Sequence, residues 1–133
     1  MIKEVKKEHK ILIVDDVPHN IQVLANILKE AGYRLGFAKD GDAALTHMKS
    51  AKFDLILLDI MMPGIDGFEV CRILRNQEET ANLPIIMLSA RADAESVNRG
   101  LLLGATKYLT KPVMPDELTR HVREVLNVSD GIA

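Results

Sequence analysis

Five short apolar runs, each too short for a helix and each followed by a more mixed stretch, constrain this chain more than any other feature. The first, Ile11-Leu-Ile-Val14, is rich in β-branched residues and reads as a buried strand. Tyr33 to Ala38, Phe53 to Leu58, Ile85-Ile-Met-Leu88 and Lys107 to Leu109 supply four more. After Pro18, the residues Ile21, Leu24, Ala25 and Leu28 recur at i, i+3, i+4 and i+7 before Gly32, which predicts a first helix ending near Ala31. Further helices are expected over Ala43 to Met48, Phe68 to Arg75 and Ala92 to Leu102, with Asp40-Gly41, Pro63-Gly64 and Asp66-Gly67 as turn or loop signals. Pro115, Asp116 and Glu117 suit the first turn of a last helix, with Leu118, Val122 and Val125 inward. Five strand–helix pairs with continuously apolar strands predict an α/β fold: a doubly wound parallel sheet, covered on both faces and joined by right-handed crossovers.

The 133 residues, 47% of them hydrophobic, suit one domain with a real core. Its expected limits are 10 and 127, with residues 1–9 as a mobile lead-in and 128–133 as a tail or linker start. The apolar runs fall far short of the ~20 residues of a membrane span, and the charged N-terminus is unlike a leader peptide. The expectation is a soluble, cytoplasmic protein without membrane insertion. A lone cysteine, Cys71, cannot form an internal disulfide and is expected to be a small, half-buried filler. A formal net charge of −2 lacks the basic excess of nucleic-acid binders, so no direct nucleic-acid contact is expected. His9, His19, His47 and His121 show no metal-ligand spacing and read as surface or boundary residues.

Ligands of open parallel sheets bind beyond the carboxyl ends of the strands, and there the sequence places Asp15 and Asp16, Asp59, Ser89 and Lys111. Three carboxylates converging in one pocket repel each other unless a cation sits among them. Oxygen ligands of this kind suit Mg²⁺, or the similar Mn²⁺. A divalent ion would also offset charge between an incoming phosphate and a carboxylate nucleophile. Lys111 can pair with one phosphoryl oxygen, and the Ser89 hydroxyl can donate to another. The set therefore reads as a site of carboxylate phosphorylation. Taken singly, each residue has an ordinary structural reading as a helix cap, a turn residue or a solvated charge; their shared end of the sheet favours the functional one.

With those positions placed, the sequence resembles the receiver domains of bacterial response regulators, typified by the chemotaxis regulator. The resemblance is carried by Ile11-Leu-Ile-Val-Asp-Asp16, Leu57-Leu-Asp-Ile-Met-Met-Pro-Gly-Ile-Asp-Gly67, Ile86-Met-Leu-Ser-Ala90 and Gly104-Ala-Thr-Lys-Tyr-Leu-Thr-Lys-Pro112. It implies a flavodoxin-like (βα)5 sheet of strand order 2-1-3-4-5, with Asp59 as phosphoacceptor. It also implies Mg²⁺ held by Asp16, Asp59 and the backbone carbonyl of Met61, with Asp15 acting through a water. Ser89 and Lys111 would contact the phosphoryl group, Lys111-Pro112 would be a cis peptide, and Tyr108 would be an aromatic switch. The side chains of Met61 and Arg91 would tune the lifetime of the phosphoryl group. The implied partners are a histidine kinase or histidine phosphotransfer protein, and an output domain or protein on the face formed by the last two helices and the last strand. That face could also pair two copies of the chain. Such a domain is a signalling phosphoacceptor rather than an enzyme.

Three rival readings fit less well. A dehalogenase-type phosphatase resembles D-x-D-x-[TV] after its first strand, a pattern that Asp15-Asp16-Val17-Pro18 breaks. A flavodoxin-like cofactor binder would want a glycine- and hydroxyl-rich loop where this chain has Val17-Pro18-His19-Asn20. A receiver-like interaction module that never takes phosphate would not need all five pocket positions filled.

Overall fold

The computed structural model describes residues 8–129 and residue 131. Five strands alternate with five helices: β1 (Lys10–Val14), α1 (Pro18–Glu30), β2 (Arg34–Ala38), α2 (Gly41–Ser50), β3 (Leu55–Asp59), α3 (Gly67–Arg75), β4 (Ile85–Ser89), α4 (Ala94–Leu102), β5 (Lys107–Thr110) and α5 (Pro115–Ser129). All strand pairings are parallel, and the order across the sheet is β2-β1-β3-β4-β5. The doubly wound α/β architecture expected from the apolar runs is the observed one.

Alternation along the strands divides the core into two layers. Leu12, Val14, Ile56, Leu58, Ile85 and Met87 face Ala44 of α2 and Phe68, Val70, Cys71 and Leu74 of α3. Ile11, Ile13, Leu55, Leu57, Ile86 and Leu88 face Leu24, Ala25 and Leu28 of α1 and Leu118, Val122, Val125 and Leu126 of α5. Leu55, Ile56, Leu57 and Leu58 are completely buried. At roughly 1.5–3 kcal/mol for each such side chain, β3 alone outweighs the cost of the partnered carboxylate at its end.

Several local expectations are corrected. Asp40-Gly41 is a helix start rather than a separate turn: the Asp40 carboxylate accepts from the Ala43 N–H at 2.7 Å, and Gly41 is the first residue of α2. α4 begins at Ala94 instead of Ala92, because Asp93 caps it by accepting from the Ser96 N–H. A 3-10 turn at Glu78–Thr80 was not expected from the apolar pattern. Cys71 is fully buried rather than half-buried, its thiol 3.6 Å from the Leu103 carbonyl oxygen. α5 runs on to Ser129, past the boundary at 127. The lead-in expected over residues 1–9 lies, apart from Glu8 and His9, outside the described residues, as do Asp130, Ile132 and Ala133 of the tail. Among the described residues, no helix is long and apolar enough to cross a membrane.

Candidate phosphoacceptor site

Strand order reverses between β1 and β3, which are direct neighbours although their residues are more than forty positions apart. Both chains leave the sheet at the same end. β1 delivers Asp15 and Asp16 there, and β3 ends on Asp59. One oxygen from each of the three carboxylates lies within 4.8 Å of the others. Asp15 and Asp59 are buried, whereas Asp16 is exposed. The cluster is therefore a shallow acidic cup with one open wall.

Lys111 enters from the β5–α5 loop and joins the two buried acids. Its Nζ lies 3.1 Å from Asp15 Oδ2 and 3.2 Å from Asp59 Oδ1. The loop is fixed by the Lys111 N–H, which donates to the Ser89 carbonyl at 2.8 Å, and Lys111-Pro112 is a cis peptide. Asp15 is committed on its other oxygen as well: Oδ1 accepts from the Val17 N–H at 2.9 Å and the Asn20 amide at 3.5 Å. Asn20 carries no signal in the sequence, since a single amide in the first turn of a helix has no pattern of its own.

Electrostatics divides the work among these groups. Burial raises the Asp59 pKa, and the charges of Asp15 and Asp16 push the same way, outweighing the attraction of Lys111. Burial opposes the charge on Lys111, but Asp59 and Asp15 more than offset it and raise its pKa. One ammonium thus faces more negative charge than it neutralises. Added positive charge is what the cup lacks, and three carboxylates make a hard oxygen donor set that could hold a metal ion.

The remaining predicted positions lie on β4, on β5 and in the segments that follow β3 and β4. Ser89 ends β4, is completely buried, and accepts from the Arg91 N–H at 3.0 Å through its hydroxyl oxygen. Its strand neighbour Leu88 pairs with Asp59 across β3 and β4. Met61 is 57% exposed, and Arg91 is also exposed. Tyr108 sits on β5, half-buried, and its hydroxyl donates to the Arg91 carbonyl at 2.7 Å. His9, His47 and His121 are half-buried and His19 is exposed, and none joins the acidic cluster. Gly67 proves to be part of the site. Its N–H donates to the Ile60 carbonyl at 2.9 Å, and a Cβ there would lie 2.5 Å from the Asp59 carbonyl oxygen. The sequence signal was present in Asp66-Gly67, but it reads as ordinary loop punctuation.

A parallel five-stranded sheet with acids gathered at its carboxyl end and a lysine across them defines a phosphoacceptor-type α/β domain. Comparison with known proteins is specific. Residues 11–123 match the family model of the response regulator receiver domain, and the chain belongs to that family. It is 41% identical over 114 residues to the DNA-binding response regulator MtrA of Mycolicibacterium smegmatis, covering 86% of this chain and 49% of MtrA. It is 41% identical over 121 residues to the alkaline phosphatase synthesis transcriptional regulatory protein PhoP of Bacillus subtilis, covering 91% of this chain and 50% of PhoP. The chain thus spans about half the length of the curated relatives it matches. The chemotaxis protein CheY4 of Vibrio cholerae superposes with a TM-score of 0.85 at 35% identity, over 90% of this chain and 99% of that one. The receiver domain of a signal transduction histidine kinase from Syntrophus aciditrophicus gives 0.84 at 35% identity, over 90% of each chain. The expectation of no nucleic-acid contact is not borne out, since the relative MtrA is named a DNA-binding regulator.

Proposed function

We propose that this receiver domain accepts a phosphoryl group on Asp59 from a phosphohistidine of a histidine kinase or phosphotransfer protein. The observation that carries the reading is the position of Lys111 Nζ, 3.2 Å from Asp59 Oδ1, beside two further carboxylates. An Asp59 carboxylate oxygen attacks phosphorus, a P–O bond forms, and the P–N bond breaks with its electron pair leaving on the donor nitrogen. Lys111 pairs with the charge that develops on the phosphoryl oxygens, and the Ser89 hydroxyl, freed from Arg91, donates to another of them. Asp16 and Asp59, with the Met61 carbonyl, would hold Mg²⁺ or Mn²⁺, with Asp15 acting through a water; when bound, the ion supplies the positive charge that lets a carboxylate and a phosphate approach.

Tyr108 serves as the switch, exchanging its bond to the Arg91 carbonyl for an inward position as Ser89 turns to the phosphate. The new charge biases a two-state equilibrium of α4, β5 and α5, whose outer face meets an output domain or protein. Relatives named as a DNA-binding response regulator and as a transcriptional regulatory protein support an output domain of that kind. The domain works in the cytoplasm and is not an enzyme acting on separate substrates, although it slowly loses its own phosphoryl group.

Incubation with acetyl phosphate, with and without Mg²⁺, tests the reading by intact mass and peptide mapping. The expected result is one phosphoryl group on Asp59, present with Mg²⁺ and absent after EDTA. Phosphorylation mapped elsewhere, or none in any condition, overturns it.

A further inference from the structure

One stripe of α3 meets α4 and the turn that follows it, and no part of the phosphoacceptor chemistry uses it. Phe68, Cys71 and Arg75 stand at i, i+3 and i+7 on one face of the helix. The Arg99 guanidinium of α4 lies over the Phe68 ring, 4.3 Å from its centroid. The Cys71 thiol reaches the Leu103 carbonyl at 3.6 Å. Arg75 Nε donates to the Gly104 carbonyl at 2.9 Å, and its Nη1 donates to the Thr80 carbonyl at 3.1 Å. Gly104 has a φ of +111°, and a Cβ there would lie 2.8 Å from Arg75 Cγ, so the end of α4 is moulded to this arginine.

The other end of α3 touches the phosphoacceptor. Gly67, its first residue, abuts the backbone of Asp59 and Ile60 with no room for a side chain. A nine-residue helix, about 13 Å long, therefore connects the Asp59 backbone directly to the C-terminal end of α4. We infer that α3 is a second connection from Asp59 to the output face, parallel to the one through Ser89 and Tyr108, with Arg75 and Arg99 as positioning residues. The stripe holds α4 in its resting place. A shift of the Asp59 backbone on phosphorylation moves α3 at Gly67 and loosens that hold. This inference rests on Asp59 being the phosphoacceptor.

The test compares the full chain with R75M, which keeps the apolar stem and removes the donors, and with R99Q, a surface change that leaves the fold intact. Hydrogen exchange over residues 94–104 is followed before and after acetyl phosphate with Mg²⁺, alongside Asp59 occupancy by mass. In the resting variants α4 should exchange on the order of 3–10-fold faster than in the parent. Its further increase on phosphorylation should shrink, while Asp59 occupancy matches the parent and exchange in β3 is unchanged. Equal α4 responses in parent and both variants, at equal occupancy, would overturn the inference and leave the phosphoacceptor reading standing. A parent that gains no mass on Asp59 would overturn both.

Discussion

The backbone of Asp59 and that of Gly67 touch, close enough that a single added methyl carbon would sit 2.5 Å from the Asp59 carbonyl oxygen. The obstacle is main chain at the end of a buried strand and cannot swing aside. Gly67→Ala should therefore lower stability by about 1–3 kcal/mol, read as a lower urea midpoint at unchanged slope. The Met61 carbonyl lies between these contacts in sequence, so Mg²⁺ affinity should fall as well. A variant with parental midpoint and Mg²⁺ affinity would show that this contact has no such role.

Burial, Asp15 and Asp16 raise the Asp59 pKa in the folded chain. A raised carboxyl means that the native state holds its proton more tightly, so stability falls as pH rises through the window between the ordinary carboxylate value and the raised one. Above that window the penalty is complete. Asp59→Asn should thus be more stable than the parent at pH 7 without divalent ions. The difference should close as pH falls below about 3.9, the ordinary aspartate value. Mg²⁺ should narrow it at pH 7 by stabilising the parent alone. Urea titrations of both proteins across this range check the sign.

Removing the one ammonium between two buried acids should be costly. Breaking a fully buried ion pair costs about 3–5 kcal/mol; the Lys111 side chain is 27% exposed, and solvent screening reduces this to roughly 1–3 kcal/mol. Lys111→Met should lose stability in that range and phosphorylate far more slowly, while still binding a divalent ion, since all three carboxylates remain. Loss of ion binding in equal measure would contradict the division of labour between lysine and metal.

Met61 follows Asp59 by two residues and is more than half exposed, and a side chain so close in the chain can screen an acyl phosphate from water. Met61→Asn should shorten the phosphoryl half-life several-fold with little effect on stability. Decay of the radiolabelled protein after removal of the donor measures it, and an unchanged half-life rejects the screening role.

The sheet and its site were legible in sequence for a common reason. A parallel strand buried on both faces must be apolar along its length, so Asp59 after Leu55 to Leu58 and Asp15 after Ile11 to Val14 stand out as polar caps at one end. Lys111 and Ser89 gained meaning only from sharing that end. What escaped notice depends on the third dimension. Asn20 matters through one carboxylate oxygen that it helps to hold, Gly67 through a backbone it nearly touches, and Arg75 through carbonyls of residues 80 and 104. Asn20 and Gly67 carry no periodicity, and the helical spacing that Arg75 shares with Phe68 and Cys71 does not say which carbonyls it reaches. The helix starts at Gly41 and Ala94 differ from the expected ones because Asp40 and Asp93 each act as a cap, a role that a turn residue shares until its hydrogen bond is seen.

The adjacency of β1 and β3 has a consequence for the order of events in the life of the molecule. The acids that meet around Lys111 come from chain segments that are strangers until the middle of the sheet has zipped together. A nascent or partly collapsed chain has no cup at all, so only molecules that have completed their central pairing bring the three acids and Lys111 together.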